Sequence, residues 1–136
     1  MKTIYKFTFL FACLLFAQVM NAAVINSYMS GSWTEPSTWE NCVVPAATDT
    51  VYIKTGHTVT YYVNSTTNLT AKEICKSLHI ETGANFYASN LQQANLQLNF
   101  RGDVVCDGTI DLGQEGPNVS GAIFGFLTQS KWFSGT

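Results

Sequence analysis

Three stretches of the chain carry one pattern of apolar and polar positions: Val51-Tyr52-Ile53-Lys54-Thr55-Gly56-His57-Thr58-Val59, Leu78-His79-Ile80-Glu81-Thr82-Gly83-Ala84-Asn85-Phe86, and Asp103-Val104-Val105-Cys106-Asp107-Gly108-Thr109-Ile110-Asp111-Leu112. Each reads as a short strand, a polar turn ending in glycine, and a second strand. Side chains alternate faces along a strand, so Val51 and Ile53, or Leu78 and Ile80, share one face while Tyr52 and His79 share the other. Gly56, Gly83 and Gly108 follow one another at separations of 27 and 25 residues. Glycine accepts the backbone conformation that a sharp corner between strands requires. Periods of this length mark solenoids, in which each unit stacks on the next because none buries its apolar edge alone. The same pattern fits three hairpins of an antiparallel β-sandwich, which is the alternative all-β fold.

Further along, Leu96-Gln97-Leu98-Asn99-Phe100 alternates as a strand, and residues 122–127 followed by Trp132-Phe133 open another unit. The pattern is still running at Ser134-Gly135-Thr136, so the sequence is expected to continue there or to be covered by another segment. Aligning the three glycines places Cys106 in the slot of Lys54 and Glu81, which makes Cys106 the expected exposed thiol.

The chain opens differently. Lys2 and Lys6 precede an apolar run from Phe7 to Val19, and small residues follow at Ala22 and Ala23. That layout is a secretory signal peptide, and its apolar run falls short of the roughly 20 residues that cross a bilayer. The scissile bond is open between the two alanines, since neither choice puts a small residue three positions upstream. The expected organisation is a signal over residues 1–22, an N-terminal cap over 23–50 and repeats over 51–136, in a secreted or cell-surface protein. Losing the signal removes two of the seven Lys and Arg and none of the nine Asp and Glu, leaving a net charge of −4. Nucleic acid is then an unsuitable partner, and no membrane span is expected after cleavage. Cys42, Cys75 and Cys106 remain, enough for one disulfide whose pairing the spacing leaves open.

Candidate chemistry is sparse. His57 and His79 lack a visible nucleophile and orienting group, so no catalytic residue is assigned. Asp103, Asp107, Asp111 and Glu115 recur every fourth residue, but in a strand-rich segment that spacing spreads carboxylates over different turns. No metal and no cofactor is expected. Arg101-Gly102-Asp103 reads as charge and turn within a repeat rather than as a receptor motif. The aromatic residues Trp33, Trp39, Tyr61, Tyr62 and Tyr87 are the candidate glycan contacts, because flat amphipathic rings stack on sugar faces. For Trp33 and Trp39, which precede the first repeat, covering the end of the stack is the favoured role.

Gly31-Ser32-Trp33, Pro36-Ser37-Thr38-Trp39, Val44-Pro45, Asp49-Thr50-Val51-Tyr52-Ile53 and Gly56-His57-Thr58-Val59 resemble the opening of the G8-type domain and of related modules of large secreted bacterial surface proteins. The resemblance runs over residues 30–80, with a looser solenoid continuation to Thr136. It implies the opening turns of a right-handed parallel β-helix, here a cap and three to four rungs, and an extracellular display or glycan-contact role. Glu40-Asn41-Cys42 stands where relatives carry glycines. The reading that follows is a non-catalytic β-solenoid scaffold or adhesin-like module at the start of a larger extracellular protein, with extracellular polysaccharide or cell-surface glycans as partners. The alternatives are the opening segment of a β-helical polysaccharide lyase or hydrolase with its catalytic groups further on, and a glycan-binding module acting alone.

Overall fold

Short runs rich in Val, Ile, Thr and Tyr, separated by glycine and polar residues, form short strands rather than helices. The computed structural model describes residues 22–64, 69–91, 96–112, 120–126 and 132–134; Glu115 and all but the last residue of the expected signal segment, 1–22, lie outside them. In chain order the strands are β1 (Val24–Asn26), β2 (Gly31–Ser32), β3 (Thr50–Ile53), β4 (Thr58–Val63), β5 (Leu69–Lys72), β6 (Ser77–Ile80), β7 (Asn85–Asn90), β8 (Leu96–Phe100), β9 (Val104–Cys106), β10 (Thr109–Asp111), β11 (Ser120–Phe126) and β12 (Trp132–Ser134). A 3-10 turn at Pro36–Thr38 and a tight turn at Glu40–Cys42 lie between β2 and β3.

The fold is all-β, and its pairing is parallel. β1, β3, β6, β9 and β12 lie side by side in one sheet; β2, β4, β7 and β10 adjoin in a second run, and β5, β8 and β11 in a third. The groups β3–β5, β6–β8 and β9–β11 therefore pair in succession, strand for strand. An exception is the start of β11, where Ser120 and Gly121 pair antiparallel with Asn90 and Ser89. The antiparallel sandwich is not adopted, because parallel partners sit a whole repeat apart, as with Val51 beside Leu78 and Leu78 beside Val104.

The bonding continues through the corners. Glu81 N–H donates to the Ile53 carbonyl, Asn85 N–H to His57, Asp107 N–H to Ile80 and Gly102 N–H to Lys76. Inside, like positions stack: Ile25, Val51, Leu78 and Val104 form one buried column, and Ile53, Ile80 and Cys106 another. On the second sheet a bulky residue faces a smaller neighbour, Val59 beside Phe86 and Tyr61 beside Ala88, so the volumes fit together. Leu96, Leu98 and Phe100 are the buried apolar positions of β8, in the third run of strands.

The registers correct the glycine alignment. Cys106 pairs with Ile80, not with Glu81, and is buried; the exposed thiol is Cys42. The physical reason is the corner between β9 and β10. Four residues separate Ile53 from Thr58 and Ile80 from Asn85, but only Asp107 and Gly108 separate Cys106 from Thr109. Gly56 and Gly83 occupy left-handed conformations with φ of 81° and 75°, as a corner glycine should, whereas Gly108 does not. Gly108 is there for space, since a Cβ would run into the Glu81 and Ala84 carbonyl oxygens of the preceding corner.

The two kinds of glycine should respond differently. Gly56→Ala meets nothing within 4 Å and suffers only the left-handed backbone, about 1 kcal/mol. Gly108→Ala must push two backbone carbonyls aside and is expected to cost about 3 kcal/mol. Equilibrium urea unfolding of both variants measures the difference.

Candidate functional site

The five aromatic candidates divide between interior and surface. Trp33 and Trp39 are 2% and 1% exposed and offer no ring face to a sugar. Their rings meet edge to face at 4.9 Å, and the Trp39 indole N–H donates to the Trp33 carbonyl at 2.7 Å. Trp33 also packs edge to face on Tyr61 and Phe86, at 6.4 and 5.8 Å, so the pair covers the β2 end of the interior. Tyr61 belongs to that cluster; its side chain points inward, and burial raises its phenol above the ordinary range. As glycan contacts these three are corrected by their burial, which follows from strand alternation: Val59 and Tyr61 share the inner face of β4.

Tyr62 and Tyr87 are different. Tyr62 is exposed on β4 and Tyr87 half-buried on β7, where Thr60 pairs with Tyr87 and Tyr62 with Ser89. The two tyrosines are thus diagonal neighbours on one outward face, about 8 Å apart from the strand spacing and rise. Polar side chains surround them in register: Asn85 between Thr58 and Thr109, and Ser32 beside Thr60, with Asp111 next to Tyr87. The Asn85 amide donates to the Thr58 hydroxyl at 3.2 Å. A flat face of this composition offers ring surfaces together with hydroxyl and amide groups, the contacts a carbohydrate accepts.

A second outward column lies on the first sheet. Tyr52 and His79 are neighbours across β3 and β6, and their rings stack at 4.4 Å and 14°. Partial burial lowers the His79 pKa, opposed by the charge of Asp103. Ion pairs also link successive repeats: Glu81 is held by Lys54 and the Thr55 N–H, and Arg101 grips Glu73 through two bonds of 2.8 and 3.1 Å. Both carboxylates are depressed by those hydrogen bonds. Arg101-Gly102-Asp103 therefore forms a corner between β8 and β9, with Arg101 turned to Glu73 and Gly102 against Ser77.

One juxtaposition was invisible in the sequence. Ser27 Oγ lies 2.8 Å from His57 Nδ1, although the two are a whole repeat apart. The hydroxyl also accepts the Lys54 N–H at 2.9 Å, so it bridges the imidazole and the end of β3. With Ser27 only 3% exposed, the pair ties the end of β1 to the first corner and presents no nucleophile. Among the described residues no carboxylate hydrogen-bonds this ring, and no group of three or more His, Cys, Asp and Glu converges as a metal site. One cleft of about 290 Å³ includes Trp33, Val44, Tyr61 and Ile74, and another of about 410 Å³ lies between Ala22, Thr48, Lys76 and Arg101.

The turn that holds Asn41 and Cys42 has the backbone conformation that favours glycine. Both adopt left-handed conformations, with φ of 58° and 56°. A family model for the G8 domain matches residues 38–127. The chain belongs to the G8-domain family. The match extends past residue 80 through β11, so the repeats after β6 are part of the G8 domain as well. Neither the curated proteins nor the solved structures compared with this G8 chain give a match. Among the described residues no helix is long and apolar enough to cross a membrane.

Two measurements check the site chemistry of this G8 domain. A maleimide should label Cys42 in the native protein, while Cys75 and Cys106 react only in denaturant. Burial pushes the thiols of both up, that of Cys75 far beyond the ordinary range. For His79 the folded pKa lies below its ordinary value of 6.5, so the unfolded chain binds more protons in that window. Stability is complete above pH 6.5 and falls as the pH drops below it, ahead of the losses from Glu73 and Glu81 below pH 4.5. The melting temperature should decline between pH 7 and 5.5, and His79→Gln should flatten that decline.

Proposed function

We propose that this G8 domain is an exported, non-catalytic scaffold module, a right-handed parallel β-helix-like solenoid that displays its outward faces at the cell surface or in the extracellular space. The observation that carries the reading is the strand-for-strand parallel pairing of successive three-strand groups. A stack of this kind uses its apolar side chains internally and leaves long, regular polar faces for an extended partner. The signal layout at residues 1–22 supports export. The reading is tested by incubating the secreted protein with extracellular polysaccharides and following chain cleavage. No cleavage is expected; cleavage abolished by changing one of the protein's own residues overturns it.

Tyr62 and Tyr87 favour a second reading in which the second sheet is a glycan-contact face. Both rings lie on the face carrying Thr60, Asn85 and Asp111 rather than in a deep pocket, which suits a polymer lying along the sheet. In a glycan array the wild type should retain at least one polysaccharide, and the double variant Tyr62→Ala, Tyr87→Ala should weaken retention about tenfold, the loss of one to two stacking contacts. Retention unchanged in the double variant, or absent from the wild type, removes this reading.

A further inference from the structure

We infer that the signal is cut between Ala22 and Ala23, and that the α-ammonium released on Ala23 becomes an ion-pair partner of Asp49. The inference rests on the export reading but names a bond and a partner that export alone leaves open. The sequence offers two cuts, after Ala22 or after Ala23. The fold separates them. Among the described residues Ala23 is the first with a hydrogen bond to the sheet and its turns: its N–H donates to Asp49 Oδ1 at 2.9 Å and its carbonyl accepts the Thr50 N–H at 2.8 Å. Ala22 and Ala23 are both exposed, and Ala22 lines the 410 Å³ cleft. A cut after Ala23 would discard both bonds.

Asp49 has the properties of a receptor for that charge. It is 6% exposed, and its other oxygen accepts the Ala46 N–H at 2.8 Å. Its backbone carbonyl receives the Lys76 N–H, which links this point to the following repeat. Among the described residues no cation forms an ion pair with it. Its charge reaches the neighbouring Cys75 thiol, which it raises in addition to burial. A buried carboxylate held only by neutral donors, here the Ala23 and Ala46 N–H groups and the Thr48 hydroxyl, gains from a cation in contact. Hydrolysis supplies one at the right atom. Water adds across the Ala22–Ala23 amide; its oxygen stays on Ala22 as part of a carboxylate, and both hydrogens end on the Ala23 nitrogen, which becomes –NH3+. One ammonium hydrogen keeps the bond to Asp49.

The test uses the full chain expressed in an exporting bacterial host, with the intact mass of the product measured first. The mass of residues 23–136 is expected. The mass of residues 24–136, or of any other start, overturns the inference and leaves export standing, whereas an unprocessed 1–136 product overturns both. The α-amine of the processed protein is then acylated at neutral pH in native buffer and in urea, and read from the N-terminal peptide. Reaction at least tenfold slower in the native protein is expected, and equal rates overturn the ion pair. Asp49→Asn should bring the native rate to within about twofold of the denatured rate; a folded variant that stays fully protected overturns the ion pair. If that variant does not fold, the native-to-denatured ratio of the wild type decides.

Discussion

Hydrogen bonding from one repeat to the next, carried through the corners as well as along the strands, is the constraint on which the rest of this structure depends. A corner such as Lys54-Thr55-Gly56-His57 lies directly over Glu81-Thr82-Gly83-Ala84, with the Gly56 N–H donating to the Gly83 carbonyl. Backbone groups in a polar turn would ordinarily need water; here the neighbouring turn satisfies them. That arrangement requires equivalent atoms to recur at a near-constant spacing along the stack. It leaves little room for a side chain wherever one corner presses on another, which is the circumstance of Gly108.

The interior obeys the same geometry. Since like positions stack, a column must hold residues that fit above one another, and Ile25, Val51, Leu78 and Val104 do so with little variation in size. The column formed by Val59 and Phe86 widens instead, and the space beside Tyr61 and Phe86 at the open end is filled by Trp33 and Trp39. Tryptophan serves this purpose because it supplies a large apolar area and a single donor, which the Trp33 carbonyl satisfies. A residue so deeply buried cannot also be a sugar platform, which leaves Tyr62 and Tyr87 as the aromatic candidates on the outward face of the second sheet.

The strand pattern, the period and the inward positions were legible in the sequence, because alternation and glycine spacing act locally. The burial of Cys106 was not. Aligning glycine on glycine assumes that every glycine does the same job, and Gly108 answers to a steric demand from Glu81 and Ala84, while Gly56 and Gly83 answer to their own torsion angles. Likewise Ser27 and His57 meet only because β1 stacks on β3, and no local signal marks Ser27 as its partner. The role of Asp49 was hidden for a related reason: its carboxylate reaches Ala23 and Ala46, on opposite sides of the turn-rich segment that precedes β3.

The short corner between β9 and β10 has an implication for how such a protein changes over time. Two residues are missing from it relative to its neighbours, yet Ile80 still pairs with Cys106 and Phe86 with Ile110 on either side. Length differences are thus absorbed inside a single corner without disturbing the stacked columns. Corners are the places where a lineage can insert or delete sequence, and so acquire new surface loops, while inheriting the same core.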